Sequence, residues 1–137
     1  MRQADAMALL ERSRVARLGT VRPDGRPHVV AITFATVESA IVTMIDHKPK
    51  TTMRLQRLAN IDAEPRVALL VDEWSEDWTR LAWARFDGVA EIHREDTVWM
   101  AAREALAARY LQYRDQPPEG PAIVITVEKI TFWASTG

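Results

Sequence analysis

The sequence predicts a mainly β fold, an antiparallel barrel with peripheral helices, formed by a single domain over residues 1–137. Three observations predict it. Six or so extended segments recur along the chain, most of them joined by short turns. Helical periodicity is confined to the start, the middle and the stretch before the last extended segment. No repeat, low-complexity tract or shift in composition divides the chain. A closed barrel also removes exposed strand edges, although a two-sheet sandwich has the same periodicity.

Residues 5–14 place Met7, Leu10 and Arg14 on one side with Leu9 beside them, the spacing of a short amphipathic helix that caps one end of a core. Residues 15–22 prefer an extended chain. Arg22-Pro23-Asp24-Gly25 follows, with proline where a turn fixes φ and glycine where φ becomes positive. Residues 26–34 then send His28, Val30, Ile32 and Phe34 to one face and Val29, Ala31 and Thr33 to the other. Further strands are expected at 40–45 and 66–71. Between them, residues 51–61 space Leu55, Leu58 and Ile61 three apart, a short helix that Thr51 or Thr52 can cap. Residues 80–93 alternate as one long strand or two, with a bend or bulge at Asp87-Gly88. A longer helix over 97–114 carries Trp99, Leu106, Tyr110 and Tyr113 on a common side, and the proline-rich 116–121 stops it. The last strand covers 122–133.

With 47% apolar and 27% charged residues, the chain has the makings of one substantial core. Eighteen Lys and Arg against nineteen Asp and Glu leave a net charge of -1. No global positive field marks a nucleic-acid binder, so any anion site is local. The absence of cysteine excludes disulfides, cysteine nucleophiles, iron–sulfur ligation and cysteine-containing zinc sites. Neither a leader pattern nor a run of about twenty apolar residues occurs, so a cytoplasmic protein with no membrane association is expected. His28, His47 and His93 lie on separate segments without metal-ligand spacing, and no metal is expected. No serine sits in a nucleophile elbow, and the glycine patterns of the familiar nucleotide folds are missing.

The most distinctive patch is His47-Lys48-Pro49-Lys50-Thr51-Thr52-Met53-Arg54-Leu55-Gln56-Arg57, in an interval without acidic residues between Asp46 and Asp62. Cations at a strand-to-helix junction, together with free N–H groups and a favourable helix-dipole end, suit a phosphate. The same charges also suit a solvated helix face. A second constellation, residues 72–85, joins an acidic loop to Trp74, Trp78 and Trp83 and to Arg80 and Arg85. Trp83, inside a strand pattern, is expected in the core, whereas Trp78 suits a ring-walling site or a subunit interface.

In order along the chain, Val15-Ala16-Arg17-Leu18-Gly19-Thr20-Val21-Arg22-Pro23-Asp24-Gly25-Arg26-Pro27-His28-Val29-Val30, Asp46-His47-Lys48-Pro49-Lys50-Thr51, Arg57-Leu58-Ala59-Asn60-Ile61, Pro65-Arg66-Val67-Ala68-Leu69-Leu70-Val71-Asp72 and Asp77-Trp78 resemble the pyridoxamine-phosphate-oxidase-like superfamily of FMN-binding split β-barrels. Within it, the chain is similar to flavin/deazaflavin oxidoreductases regarded as probable coenzyme F-420-dependent enzymes. The resemblance runs from about Leu9 to Trp133 and lies in the order and spacing of the motifs. It implies a homodimer with two cofactor sites at the subunit interface and a small-molecule substrate. It also implies that the basic loop and helix receive the cofactor phosphate. That role falls here on Lys50, Thr51 and Arg57, with Lys48, Arg54 and Asn60 as neighbours. The strand from Val30 to Thr33 would line the ring, and Trp78 would approach it from the same or the other chain. One departure is plain: Arg57-x-x-Asn60 begins with arginine where many relatives have lysine.

Coenzyme F-420 and FMN both suit this barrel. Four cations, Lys48, Lys50, Arg54 and Arg57, match the longer anionic tail of F-420 better, although each exposed pair contributes only about 0.2–1 kcal/mol. The implied reaction is hydride transfer between the reduced deazaflavin and a small unsaturated or aromatic acceptor, with the protein supplying placement and an apolar floor. Val30, Ile32 and Phe34 are candidates for that floor, and His28 and Arg85 for the substrate side; no catalytic residue is named. An FMN-dependent oxidoreductase and a non-catalytic flavin- or haem-binding protein are the alternatives.

Overall fold

A computed structural model describes residues 3–46 and 55–135. Helix α1 (Gln3–Arg12) precedes strands β1 (Ala16–Val21), β2 (Pro27–Ile32), β3 (Ala35–Val37) and β4 (Ala40–Met44). Helix α2 (Gln56–Ala63) leads to β5 (Arg66–Glu73), and a 3-10 turn at Trp78–Arg80 leads to β6 (Ala82–His93). Helices α3 (Thr97–Arg109) and α4 (Leu111–Asp115) come before β7 (Ala122–Ala134). The seven strands form one sheet in the order β2-β1-β5-β6-β7-β4-β3, antiparallel throughout.

β2 and β3 stand at opposite ends of that order, yet only Thr33 and Phe34 separate them in the chain. The barrel is therefore split. Its edges are joined by the covalent chain rather than by a hydrogen-bonded ladder. The fold is the mainly β split barrel with peripheral helices that the sequence predicts.

The local chemistry explains the strands. Gly25 takes φ 91°, where a Cβ is strained, and its N–H meets the Arg22 carbonyl at 2.8 Å to close the β1–β2 turn. From that turn the register places Leu18 opposite Val30 and Ala16 opposite Ile32, so alternate residues enter the barrel. Leu69, Val71, Phe86, Ile123 and Ile125 complete the interior from the central strands. α1 presses Ala6, Leu9 and Leu10 onto this core, and α2 adds Leu58 and Ile61. A second cluster packs Ala102 and Leu106 of α3 against Ala35, Val42 and Met44. None of the described helices is long and apolar enough to cross a membrane.

Three elements differ from the expectation. The short β3 is missing from the predicted set, because three residues are too few to show a period. α2 starts at Gln56 with Leu55 as its N-cap residue and no side-chain cap; Thr51 and Thr52 lie outside the described residues. The helix expected over 97–114 breaks at Tyr110, which takes φ −120° and ψ 129°. By contrast, the bend at Asp87-Gly88 is a bulge in the β6–β7 ladder. A Cβ on Gly88 would stand 2.2 Å from the Thr126 carbonyl oxygen. Gly88→Ala is accordingly expected to destabilise the fold by about 1–3 kcal/mol, read as a lower urea midpoint. An unchanged midpoint would show that the strands separate there at no cost.

Candidate functional site

The outward face of β2 continues into a cavity of about 430 Å³ at the split in the barrel. Ala31 and Thr33 form one wall, Thr43 and Met44 of β4 another, and Asp46, Arg57 and Tyr113 supply its charge and polarity. Each is held by a different element. Backbone bonds from Glu119 N to Asp46 O (3.0 Å) and Gly120 N to Ile45 O (3.0 Å) fix the chain leaving β4. α2 presents Arg57, and α4 presents Tyr113.

The polar groups form a connected set. Tyr113 Oη donates to Asp46 Oδ1 and lies 3.0 Å from Thr33 Oγ1, while Thr43 Oγ1 donates to the Thr33 carbonyl at 2.7 Å. Burial, and then the bond to Asp46, push the Tyr113 phenol up to about 12. Arg57 is half-buried, and its buried Nε has no hydrogen-bond partner among the described residues. Burial lowers the pKa of the guanidinium from its usual value, opposed by the charges of Asp46 and Tyr113. A desolvated, under-satisfied guanidinium favours an incoming anion.

Of the site residues the sequence proposes, Arg57 and Thr33 are brought together in this cavity. Lys48, Lys50, Thr51 and Arg54, with His47, lie outside the described residues. Asn60 is placed elsewhere. It is wholly buried, donating to Thr20 Oγ1 at 2.9 Å and accepting from Gln56 Nε2 at 2.7 Å, so its amide ties α2 to β1. Val30 packs on the core, as do Ile32 and Phe34, though Ile32 also edges the cavity. The pleat explains the correction: one face of β2 faces the core, and Ala31 and Thr33 face the cavity.

His28 shares the inward face, with its Nδ1 buried and unpartnered among the described residues, and is not part of the cavity lining. Arg85 is on the outer sheet face, 3.3 Å from Asp87 and over the Trp83 ring. Trp83 is not in the core: it pairs in register with Trp133 on that outer face, because even-numbered residues of β6 point inward before the bulge. Val29, Leu70, Trp83 and Trp133 floor a second, shallow concavity there of about 560 Å³. Trp78 is 66% exposed, stands 6.5 Å from Trp74 and does not line the Arg57 cavity.

Asp46 and Tyr113 were not among the sequence candidates. Tyr113 shows only as one apolar-stripe position of a helix, and its hydroxyl reaches the cavity because that helix breaks three residues earlier.

Residues 3–134 match the family described as Pyridoxamine 5′-phosphate oxidase. The chain belongs to that family. Solved structures share the fold at low identity. A conserved hypothetical protein from Mycobacterium tuberculosis superposes with TM-score 0.79 at 23% identity, covering 98% of this chain and 85% of its own. An FAD-binding protein from Mesorhizobium loti gives 0.76 at 20%, covering 96% and 92%. The heme storage protein HutZ from Vibrio cholerae gives 0.74 at 17%, covering 98% and 95%. No curated protein matches the sequence.

Tyr113 can be followed directly, since the chain has only two tyrosines. Its folded pKa of about 12 lies above the unfolded value near 10, so its stabilising contribution is complete below pH ~10 and is lost as pH rises through ~12. An ultraviolet tyrosinate titration is expected to show this late step in the wild type and not in Tyr113→Phe. A wild-type curve completed near pH 10 would contradict the buried Asp46–Tyr113 bond.

Proposed function

We propose that this member of the pyridoxamine 5′-phosphate oxidase family is a flavin-type oxidoreductase that uses coenzyme F-420, with FMN as the alternative, and that the Arg57 cavity receives the cofactor phosphate. The observation that carries this reading is the buried Nε of Arg57, without a hydrogen-bond partner among the described residues, beside the end of β4. Arginine is never relieved of its charge at neutral pH, so a half-buried guanidinium calls for an anionic partner. The preceding sequence adds Lys48, Lys50 and Arg54, which favours the longer anionic tail of F-420 over FMN.

When bound, the reduced deazaflavin supplies a hydride from its carbon five to a small unsaturated or aromatic acceptor. The chain's own work is positioning and desolvation. Arg57 fixes the phosphate end, and Val15, Met44 and Ile45 provide apolar wall. Proximity of this kind lowers a barrier without a named acid or base.

A homodimer completes the proposal. Val29 is 65% exposed and lies with Leu70 and Trp133 on the outer sheet face, an apolar patch suited to a partner. Arg17 and Asp72 are on the same face, the mixed charge that an isologous interface needs. Because Val29 and Ala31 are consecutive outward residues of β2, a second copy seated on Val29 would border the cavity at Ala31. Leu70→Asp is expected to shift sedimentation from dimer to monomer; a monomeric wild type would contradict the interface.

The second reading is a non-catalytic carrier of a flavin or haem, favoured by the neighbour described as a heme storage protein. Titration with F-420, FMN and haemin separates these readings, followed by turnover of reduced cofactor with quinone and nitroaromatic acceptors. Arg57→Ala is expected to weaken F-420 or FMN about 10- to 100-fold, with the thermal midpoint nearly unchanged. Equal affinity with a lowered midpoint would make Arg57 structural, and saturable binding of haemin alone would decide for the carrier.

A further inference from the structure

The cavity mixes its charges. Arg57 attracts an anion, yet the carboxylate of Asp46 shares the same lining and is electrostatically coupled to it. A bare anion at Arg57 is repelled by Asp46. Phosphate recognition alone gives no reason for a carboxylate there.

The hydrogen bonds supply one. A carboxylate only accepts, so the Tyr113 proton is committed to Asp46. The 3.0 Å contact between Tyr113 Oη and Thr33 Oγ1 must then be donated by Thr33. Thr43 likewise donates its proton to the Thr33 carbonyl. Both threonine protons are spent within the wall. What Thr33, Thr43 and Asp46 have left for a ligand is acceptor capacity alone, next to a cation.

We propose that Asp46, braced by Tyr113, sets the specificity of the Arg57 site: it turns away simple inorganic anions and admits a phosphate ester whose neighbouring carbons carry hydroxyl groups, a phosphorylated polyol. This rests on the reading of the cavity as a flavin-type site, since FMN and coenzyme F-420 share a ribityl phosphate. The chain hydroxyls donate to Asp46 and Thr33 while the phosphate meets Arg57. Those donated bonds offset the repulsion, which an anion without donors cannot do. Rejection of small anions and acceptance of the ester thus come from one carboxylate.

The test compares wild type, Asp46→Asn and Tyr113→Phe for affinity toward sulfate, FMN and 4′-deoxy-FMN. Sulfate has the charge and no donor, and 4′-deoxy-FMN lacks the hydroxyl nearest the phosphate. Wild type is expected to prefer FMN over 4′-deoxy-FMN by about tenfold, the worth of one hydrogen bond to a charged group. Asp46→Asn should bind sulfate several-fold more tightly than wild type while its preference for FMN contracts toward one. Tyr113→Phe, which frees the Thr33 proton, should contract the same preference with a smaller gain for sulfate. A merely structural role for Asp46 would weaken all three ligands together. Sulfate affinity unchanged by Asp46→Asn, or one FMN to 4′-deoxy-FMN ratio in all three proteins, overturns the proposal. Failure of the cofactor reading looks different: neither FMN nor coenzyme F-420 then saturates the wild type, and the polyol claim falls with it whatever sulfate shows.

Discussion

Two strands that end a sheet leave backbone N–H and C=O groups without ladder partners, and a buried orphan of that kind costs about 1–3 kcal/mol. At the link between β2 and β3 those groups are met by hydroxyls. Tyr110 Oη accepts from Phe34 N at 3.1 Å, and its own proton lies between the carbonyls of Arg14 and Phe34, 2.9 and 3.0 Å away. Thr43 serves the Thr33 carbonyl. Arg109 holds the assembly from above, donating to the carbonyls of Glu11 and Ser13 and resting 4.9 Å over the Phe34 ring. Arg14 stacks on the other aromatic, 4.6 Å from the Tyr110 centroid.

The cavity inherits its geometry from this pin. Tyr110 leaves the helical region, and that break separates α3 from α4. One consequence is that Tyr110 and Tyr113 meet edge to face at 5.8 Å, with hydroxyls directed at neighbouring residues of the same link, Phe34 and Thr33. A continuous helix would carry the two rings to positions three apart on one face, both aimed alike. The interruption thus does two jobs: Tyr110 closes the split, and Tyr113 lines the space the split leaves open. Stability and recognition share one device, so a change that weakens the pin also moves Thr33.

Much of the fold is legible in the sequence because it rests on local rules. The Pro23-Asp24-Gly25 turn, the alternation along β2 and the Asp87-Gly88 bulge each follow from φ preferences and a period of two. The pairing of distant segments does not, and it decides the rest. Trp83 reads as core from its strand pattern, but the parity that matters is set by its Trp133 partner and by Phe86, Ala84 and Ala82 filling the inside. The family resemblance makes Asn60 a phosphate neighbour, yet three positions along a helix from Arg57 turn it onto Thr20. Asp46 is visible only as the acidic boundary of a basic run. Its meaning appears when Tyr113, 67 residues away, is seen to donate to it.

Fold membership leaves the chemistry open, since the same barrel occurs in solved proteins described as FAD-binding and as heme storage. The discrimination has to come from side chains at the split. A haem needs an axial ligand and a broad apolar slot, whereas the described part of this cavity sets a guanidinium, a carboxylate and hydroxyls, whose protons are donated within the wall, beside the apolar Val15, Met44 and Ile45. On the proposed reading, those polar groups meet a flexible chain that alternates hydroxyls with a terminal charge. On that reading, this part of the wall receives the polar end of the cofactor rather than its ring. On the same reading the ring falls to the outward residues of β2, where Ala31 is small and Val29 is exposed, and where the proposed second subunit would cover apolar surface.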